Sequence, residues 1–357
     1  MVKAPSSMCP SPQGSSPVFS SSLTCNYCKN PGHIKANCYR LVGFPAGYFD
    51  RPRPQDNKPK GKAAVTKPDH TNFAGPPHQG NNRQGLSEGS TISSGLHLRG
   101  KVAIVTGAAS GIGAVTARHF ANHGSLTVVI ADVQDGKGRE VAASISSNRC
   151  TYVHCDVTDE HQVKYLVDST VKLYGRLDVM YSNAGITPPS AQTVLELDLS
   201  LFDKVMAVNA RGMAACVMHA ARAMVEKGVR GSIVCTASVQ ADCGTESMTD
   251  YTLSKHAMLG LMRSASVQLV KHGVRVNCVS PGLVATPLVT EIFKLGAEEL
   301  SKMMAAVYTG SQYGPVKEKD LADAVVFLAS EDSALITGQN LVVDGGHETK
   351  ALSLLKP

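Results

Sequence analysis

The chain contains no tryptophan, and aromatic residues make up only 5% of its 357 positions. It has no apolar run approaching the roughly 18 residues that a membrane-spanning helix needs, so no membrane span is expected. Its opening stretch, MVKAPSSMCPSPQGSSPVFS, lacks the continuous apolar core of a secretory signal and holds serine without the arginine of a transit peptide. A cytoplasmic location is the expectation. Paired cysteine spacing is missing from residue 99 onward: Cys150, Cys155, Cys216, Cys235, Cys243 and Cys278 fall mostly inside apolar runs, the pattern of buried free thiols in a reducing compartment.

Aliphatic residues are scarce in residues 1–98, which are dense in Pro, Ser, Gly, Asn and Gln. That stretch has eleven Lys and Arg against four Asp and Glu, whereas the remainder has 24 against 25. The net charge of +6 therefore belongs to the tail, and the rest of the chain is close to neutral. Residues 1–22 and 51–95 cannot bury enough apolar surface to offset chain entropy, so both are expected to be disordered. Between them, Cys25, Cys28, His33 and Cys38 stand at C-x2-C-x4-H-x4-C. Three thiolates and an imidazole can close a tetrahedral Zn2+ shell and supply the folding free energy of so short a segment, predicting a zinc knuckle over 23–50. Knuckles of this kind take single-stranded nucleic acid by stacking and phosphate contacts, for which Tyr27, Lys29, Lys35 and Arg40 are candidates.

The remainder is organised around KVAIVTGAASGIGAVTARHF, Lys101 to Phe120. Val102 to Val105 read as a buried parallel strand. Gly107, Gly111 and Gly113 then permit a sharp turn and close approach to a pyrophosphate at a helix N-terminus. A second apolar strand, Leu126 to Ala131, ends at Asp132, whose carboxylate suits the adenosine ribose hydroxyls and would repel a 2′-phosphate. No Lys or Arg stands at Ala108 or Ala109, so NAD is favoured over NADP.

Further along, a helix from about Lys137 to Ser147 leads to a strand Thr151 to His154, followed by Asp156 and Val157, with Asp156 either meeting the adenine or capping the turn. Glu160 to Tyr174 carries a helical apolar stripe, and Leu177 to Tyr181 reads as a strand that ends in Asn183, Ala184 and Gly185. An apolar helix around Asp203 to Met224 holds Asn209, whose amide needs a partner if buried. The strand Ser232 to Cys235 delivers Ser238. Tyr251 and Lys255 share one helix face, where an ammonium favours the phenolate and lowers the tyrosine pKa. That would leave a proton acceptor suited to alcohol oxidation. A last helix, Asp320 to Ala329, and strand Asn340 to Val343 follow.

Two resemblances stand on these motifs. Residues 23–50, with the continuation CYRLVGFPAGYF, closely resemble the zinc knuckle in the Gag region of plant copia-type retrotransposons, which implies nucleic-acid-binding ancestry and a transposon fragment joined to an unrelated enzyme. Residues 97–346 are similar to the short-chain dehydrogenase/reductase family in the T-G-x3-G-x-G of Thr106 to Gly113, the NAG of Asn183 to Gly185, Asn209, Ser238, the Y-x3-K of Tyr251 and Lys255, and Pro281-Gly282. CDVTD, VNCVSP and LVVDGG look like the plant alcohol dehydrogenases of secondary metabolism, such as secoisolariciresinol, xanthoxin and zerumbone dehydrogenases.

This second resemblance implies an α/β fold over 96–350: a Rossmann-type, doubly wound, seven-stranded parallel sheet in a homotetramer. It implies Tyr251 as the acid/base, Ser238 on the substrate oxygen, Lys255 on the nicotinamide ribose and Asn209 holding a water. Ser110 and Ile112 join the glycine turn in cofactor binding, and Pro281, Gly282, Val284 and Thr286 grip the nicotinamide. Residues 287–313 become a substrate lid, whose Met and aliphatic content suits a bulky hydrophobic alcohol or ketone, terpenoid or phenolic, or else they pack a subunit contact.

Overall fold

The structure is a computed structural model that describes residues 95–346 apart from 147. The expected zinc ligands Cys25, Cys28, His33 and Cys38, the two segments expected to be disordered apart from Gly95, and residues 347–350 lie outside the described residues.

Seven strands form one sheet: β1 (Val102–Thr106), β2 (Thr127–Asp132), β3 (Cys150–His154), β4 (Val179–Ser182), β5 (Ser232–Thr236), β6 (Arg275–Pro281) and β7 (Asn340–Val343). Their order is β3-β2-β1-β4-β5-β6-β7, and every pairing is parallel. Every residue of β1, β2 and β5 is buried. That is why these stretches read as unbroken apolar runs rather than alternating ones.

The helices are α1 (Gly111–Asn122), α2 (Asp135–Ile145), α3 (Glu160–Tyr174), α4 (Leu199–Met206), α5 (Met213–Glu226), α6 (Thr249–Leu269), α7 (Pro287–Phe293), α8 (Ala297–Val307) and α9 (Glu318–Ala329). They cover both faces of the sheet. On one face, Val163, Leu166, Met213, Cys216, Met258 and Met262 from α3, α5 and α6 pack on Ile104, Met180, Ile233 and Cys278. On the other, Ala117, Phe120, Leu321 and Val325 from α1 and α9 pack on Val105, Ile130, Tyr181 and Val234. Adjacent strand residues point to opposite cores, as the twofold side-chain period requires.

The bounds of α3 match the sequence reading because both ends carry their own signals. The Asp159 side chain accepts a hydrogen bond from the His161 amide, and Gly175 closes the helix at φ 78. The single helix expected around Asp203 to Met224 is instead broken into α4, a π-helical turn over Ala207–Gly212, and α5. Such a turn leaves the usual i→i−4 ladder and is often found at functional sites. Gly212 lies so close to Val157 that a Cβ there would come within 2.8 Å of its side chain.

Strand order reverses between β1 and β4, so the connections leave in opposite directions and open a crevice at the carboxyl ends of the strands. The scaffold that holds this crevice depends on the α3 seam. Replacing fully buried Leu166 by alanine should lower the unfolding free energy by about 2–5 kcal/mol. Urea denaturation would measure it, and a loss under about 1 kcal/mol would mean that the seam collapses around the cavity.

Candidate active site

One cleft of about 500 Å³ occupies the crevice. It is lined by Gly107, Ser110, Gly111 and Ile112 from the glycine turn, by Asp132, Asp156 and Val157, and by Asn183, Ala184 and Gly185 after β4. Ser238, Tyr251, Lys255, Pro281, Gly282, Val284 and Thr286 line it as well. Of the residues singled out in the sequence for catalysis or cofactor binding, only Gly113 and Asn209 do not line this cleft.

Gly113 works from behind. A Cβ on it would fall 2.3 Å from the Gly107 carbonyl oxygen, so only glycine lets α1 begin against the turn. Gly107 sits at φ 64 with its own Cβ position 2.7 Å from the Ala184 Cα. Backbone therefore meets backbone at the base of the cleft, in a cradle of the kind that holds a pyrophosphate. The Asp132 carboxylate is aimed by two amides: Oδ2 accepts from Ala109 N at 2.9 Å and Oδ1 from Gln134 N at 3.0 Å. The donor set and the bare backbone fit a dinucleotide, with Asp132 at the ribose end. Asp156 acts as a cap, its Oδ1 accepting from Thr158 N and Oγ1 at 2.9 and 2.8 Å, while still lining the cleft.

At the other end Tyr251 and Lys255 rise from adjacent turns of α6, with the Lys255 ammonium 5.3 Å from the centre of the Tyr251 ring. Lys255 is 3% exposed and donates from Nζ to the Thr236 carbonyl at 3.0 Å. Burial holds its pKa down at about 8, although Cys278 and Cys235 pull the other way. Loss of solvation also pushes the Tyr251 phenol up to about 12, against a smaller lowering from the Ser238 hydroxyl. The expectation that Lys255 lowers the tyrosine pKa is therefore overturned for the unliganded chain. Desolvation penalises the charged form of both groups and is the largest cause of each shift.

Asn209, fully buried in the π turn, is committed to protein partners. Its Oδ1 accepts from Ile186 N at 2.9 Å, and its Nδ2 donates to Ile186 O at 2.8 Å and Ser254 Oγ at 3.1 Å. The amide ties the segment after β4 to α6. In residues 287–313, Met304, Val307 and Tyr308 turn into the core at 4–9% exposure, whereas Leu288 and Val289 of α7 line the cleft. The segment is thus a cover only at its start.

Sequence reasoning missed several lining residues. Gln134 and Lys137 stand beside Asp132, with Lys137 Nζ donating to Gln134 Oε1 at 2.9 Å. Ile186, Val208 and Glu291 flank the Tyr251 and α7 side of the lining. Lys137 carried a signal, being a cation five positions past the strand-end acid; Ile186 and Val208 look like ordinary core residues. Among the described residues, no cluster of three or more His, Cys, Asp or Glu could hold a metal ion.

The Lys255 environment generates a pH dependence. The unfolded chain keeps its lysine proton up to about pH 10.4, while the folded, unliganded chain releases it near 8. Between those values the unfolded state binds more protons, so folding becomes more favourable as pH rises. Unfolding free energies of wild type and Lys255→Met, measured at pH 7 and 9.5, should diverge in favour of wild type by about 2 kcal/mol. A difference independent of pH would contradict the burial argument.

Known proteins are similar to this chain over most of its length. A family model described as Enoyl-(Acyl carrier protein) reductase matches residues 107–348. The (-)-isopiperitenol/(-)-carveol dehydrogenase, mitochondrial, of Mentha piperita is 54% identical over 249 residues, covering 70% of this chain and 94% of that protein. Short-chain dehydrogenase reductase 3b of Arabidopsis thaliana is 49% identical over 265 residues, 74% of this chain and all of that one. The crystal structure of levodione reductase superposes with a TM-score of 0.65 at 26% identity, covering 71% of this chain and 99% of the other. With Ser238, Tyr251 and Lys255 gathered over a dinucleotide cradle, the chain belongs to the short-chain dehydrogenase/reductase family and is an NAD(P)-dependent oxidoreductase of that family.

Proposed function

We propose that this protein interconverts a secondary alcohol and a ketone on a hydrophobic small molecule, terpenoid or phenolic, with NAD as the cofactor. The observation that carries the reading is the convergence of Ser238, Tyr251 and Lys255 on one cleft with the glycine turn and Asp132. The name of the Mentha piperita relative, an isopiperitenol and carveol dehydrogenase, supports an alcohol of the terpenoid class. So does the apolar lining of Ile186, Val208, Leu288 and Val289.

Bound in the cradle, the nicotinamide supplies the two-electron acceptor or donor. The chain's own residues handle the proton and the oxygen. Tyr251 takes the hydroxyl proton in oxidation and returns it in reduction. Ser238 hydrogen-bonds the substrate oxygen and stabilises the charge that develops there. Lys255 would reach the cofactor ribose, and Asn209, its amide taken by Ile186 and Ser254, holds the segment after β4 against α6. The Asp132 carboxylate, held by two amides, accepts from the adenosine ribose hydroxyls and repels a 2′-phosphate.

NADH formation over a panel of terpenoid and phenolic secondary alcohols tests this. Tyr251→Phe should lower kcat by about 100-fold to 10,000-fold while leaving NADH binding intact. The kcat/KM with NAD+ should exceed that with NADP+ by at least about tenfold, or 1.4 kcal/mol. Turnover that survives in Tyr251→Phe would sink the acid/base assignment.

A homotetramer is the assembly we propose, from the family resemblance. A second activity rests on the sequence alone. The C-x2-C-x4-H-x4-C spacing supports a structural Zn2+ at Cys25, Cys28, His33 and Cys38, with single-stranded nucleic acid as its ligand. The purified full chain should carry one zinc per chain by elemental analysis and shift single-stranded RNA in a gel. Cys25→Ser with Cys28→Ser should lose both, and a zinc-free wild-type chain would refute the reading.

A further inference from the structure

The loop of residues 281–286 supplies four lining residues of the cleft, Pro281, Gly282, Val284 and Thr286, the last of them 3.5 Å from the Cβ position of Gly111 in the glycine turn. It is stitched to β7 through Gly282 N, which donates to the Val343 carbonyl at 3.0 Å. Its other side is held by a residue far along the chain. Tyr308, at the C-terminal end of α8 and 4% exposed, donates from its hydroxyl to the Leu283 carbonyl at 2.7 Å.

The fit around this contact is close. A Cβ on Gly282 would come within 3.0 Å of the Tyr308 hydroxyl oxygen and 2.9 Å of the Asp344 Cβ. Gly345, at φ 68, presents its Cβ position 3.6 Å from the Tyr308 ring. The loop is thus clamped between the phenol and the turn after β7. Burial and the Asp344 charge push the phenol up to about 12, so it remains a neutral donor across the working pH range.

We propose that Tyr308 is a positioning residue for the nicotinamide half of the cofactor: its hydroxyl fixes the Leu283 carbonyl and with it the backbone of residues 281–286. The proposal rests on the dinucleotide reading above. It also assigns different work to the two ends of the 287–313 segment. The α7 end faces the cleft, and the α8 end braces the cofactor loop from behind.

Tyr308→Phe keeps the ring and removes only the donor, and fluorescence titration of the full chain with NADH reads the effect. The dissociation constant for NADH should rise about threefold to tenfold, the loss expected of one neutral hydrogen bond. Binding of ADP-ribose, which lacks the nicotinamide, should be unchanged. Val316→Ala trims a side chain packed on Gly345 without touching the hydrogen bond; it should lower the melting temperature and leave the NADH/ADP-ribose ratio as in wild type. Equal weakening of both ligands in Tyr308→Phe, or no weakening of NADH, would overturn the positioning role while the cofactor reading stands. A wild-type chain that binds neither ligand would overturn the cofactor reading and this proposal with it.

Discussion

The seam between β1 and β4 is the constraint on which the rest of this fold depends. The Thr106 hydroxyl accepts from the amides of Asn183 and Ala184 at 3.0 and 3.2 Å, and Asn183 Nδ2 donates to the carbonyls of Thr106 and Gly107 at 3.1 and 3.2 Å. Two strands that part to opposite sides would otherwise leave those backbone groups unpaired in a buried place. The side chains of Thr106 and Asn183 supply the missing partners, and Gly107 and Gly113 supply the room. The same network reaches the chemistry. Thr236 Oγ1 stands within 3.0 Å of Asn183 Oδ1 and 2.8 Å of the buried Tyr181 hydroxyl, while the Thr236 carbonyl receives the Lys255 ammonium. The glycine turn and Lys255 are thus two ends of one hydrogen-bonded assembly.

Electrostatics set the resting state of that assembly. An ammonium 5.3 Å from a phenol ring invites the inference that the phenol is acidified. In water that inference weakens through screening, and inside the protein it is reversed by lost solvation. The unliganded chain therefore holds a neutral tyrosine and a lysine that gives up its proton near pH 8. Two thiols, Cys235 and Cys278, face each other across β5 and β6 beside that lysine. The Cys235 thiol follows the same rule: its pKa is raised well above the ordinary thiol value by its Cys278 partner and by burial, so it stays neutral and unreactive.

Much of this was legible in the chain, for identifiable reasons. β1, β2 and β5 are buried on both faces, and only a run of Val, Ile and small residues satisfies that. The ends of α3 were readable because capping is local, a matter of Asp159 and Gly175 alone. Three features were not legible. The π turn at Ala207–Gly212 preserves an apolar pattern on both flanks, so periodicity continues straight across it. Which residues of 287–313 face the cleft and which face the core depends on how two short helices are tilted, and an amphipathic pattern carries no such information. The pKa shifts depend on depth, which residue spacing does not encode.

The inward turn of α8 limits what substrate recognition can use. Met304 and Val307 are core residues shared with α1 and α9, so altering them disturbs the sheet before it alters the cleft. On this side of the cleft, variation without that cost is confined to α7, where Leu288, Val289 and Glu291 line the opening. Lys294, between the two helices at φ 49, is the one described non-glycine residue in the left-handed region, a conformation that costs an L-residue roughly 1–2 kcal/mol. The chain accepts that strain where α7 stops and α8 turns toward the core. The segment is thereby divided into a short edge that faces the cleft and a longer part fixed in the core.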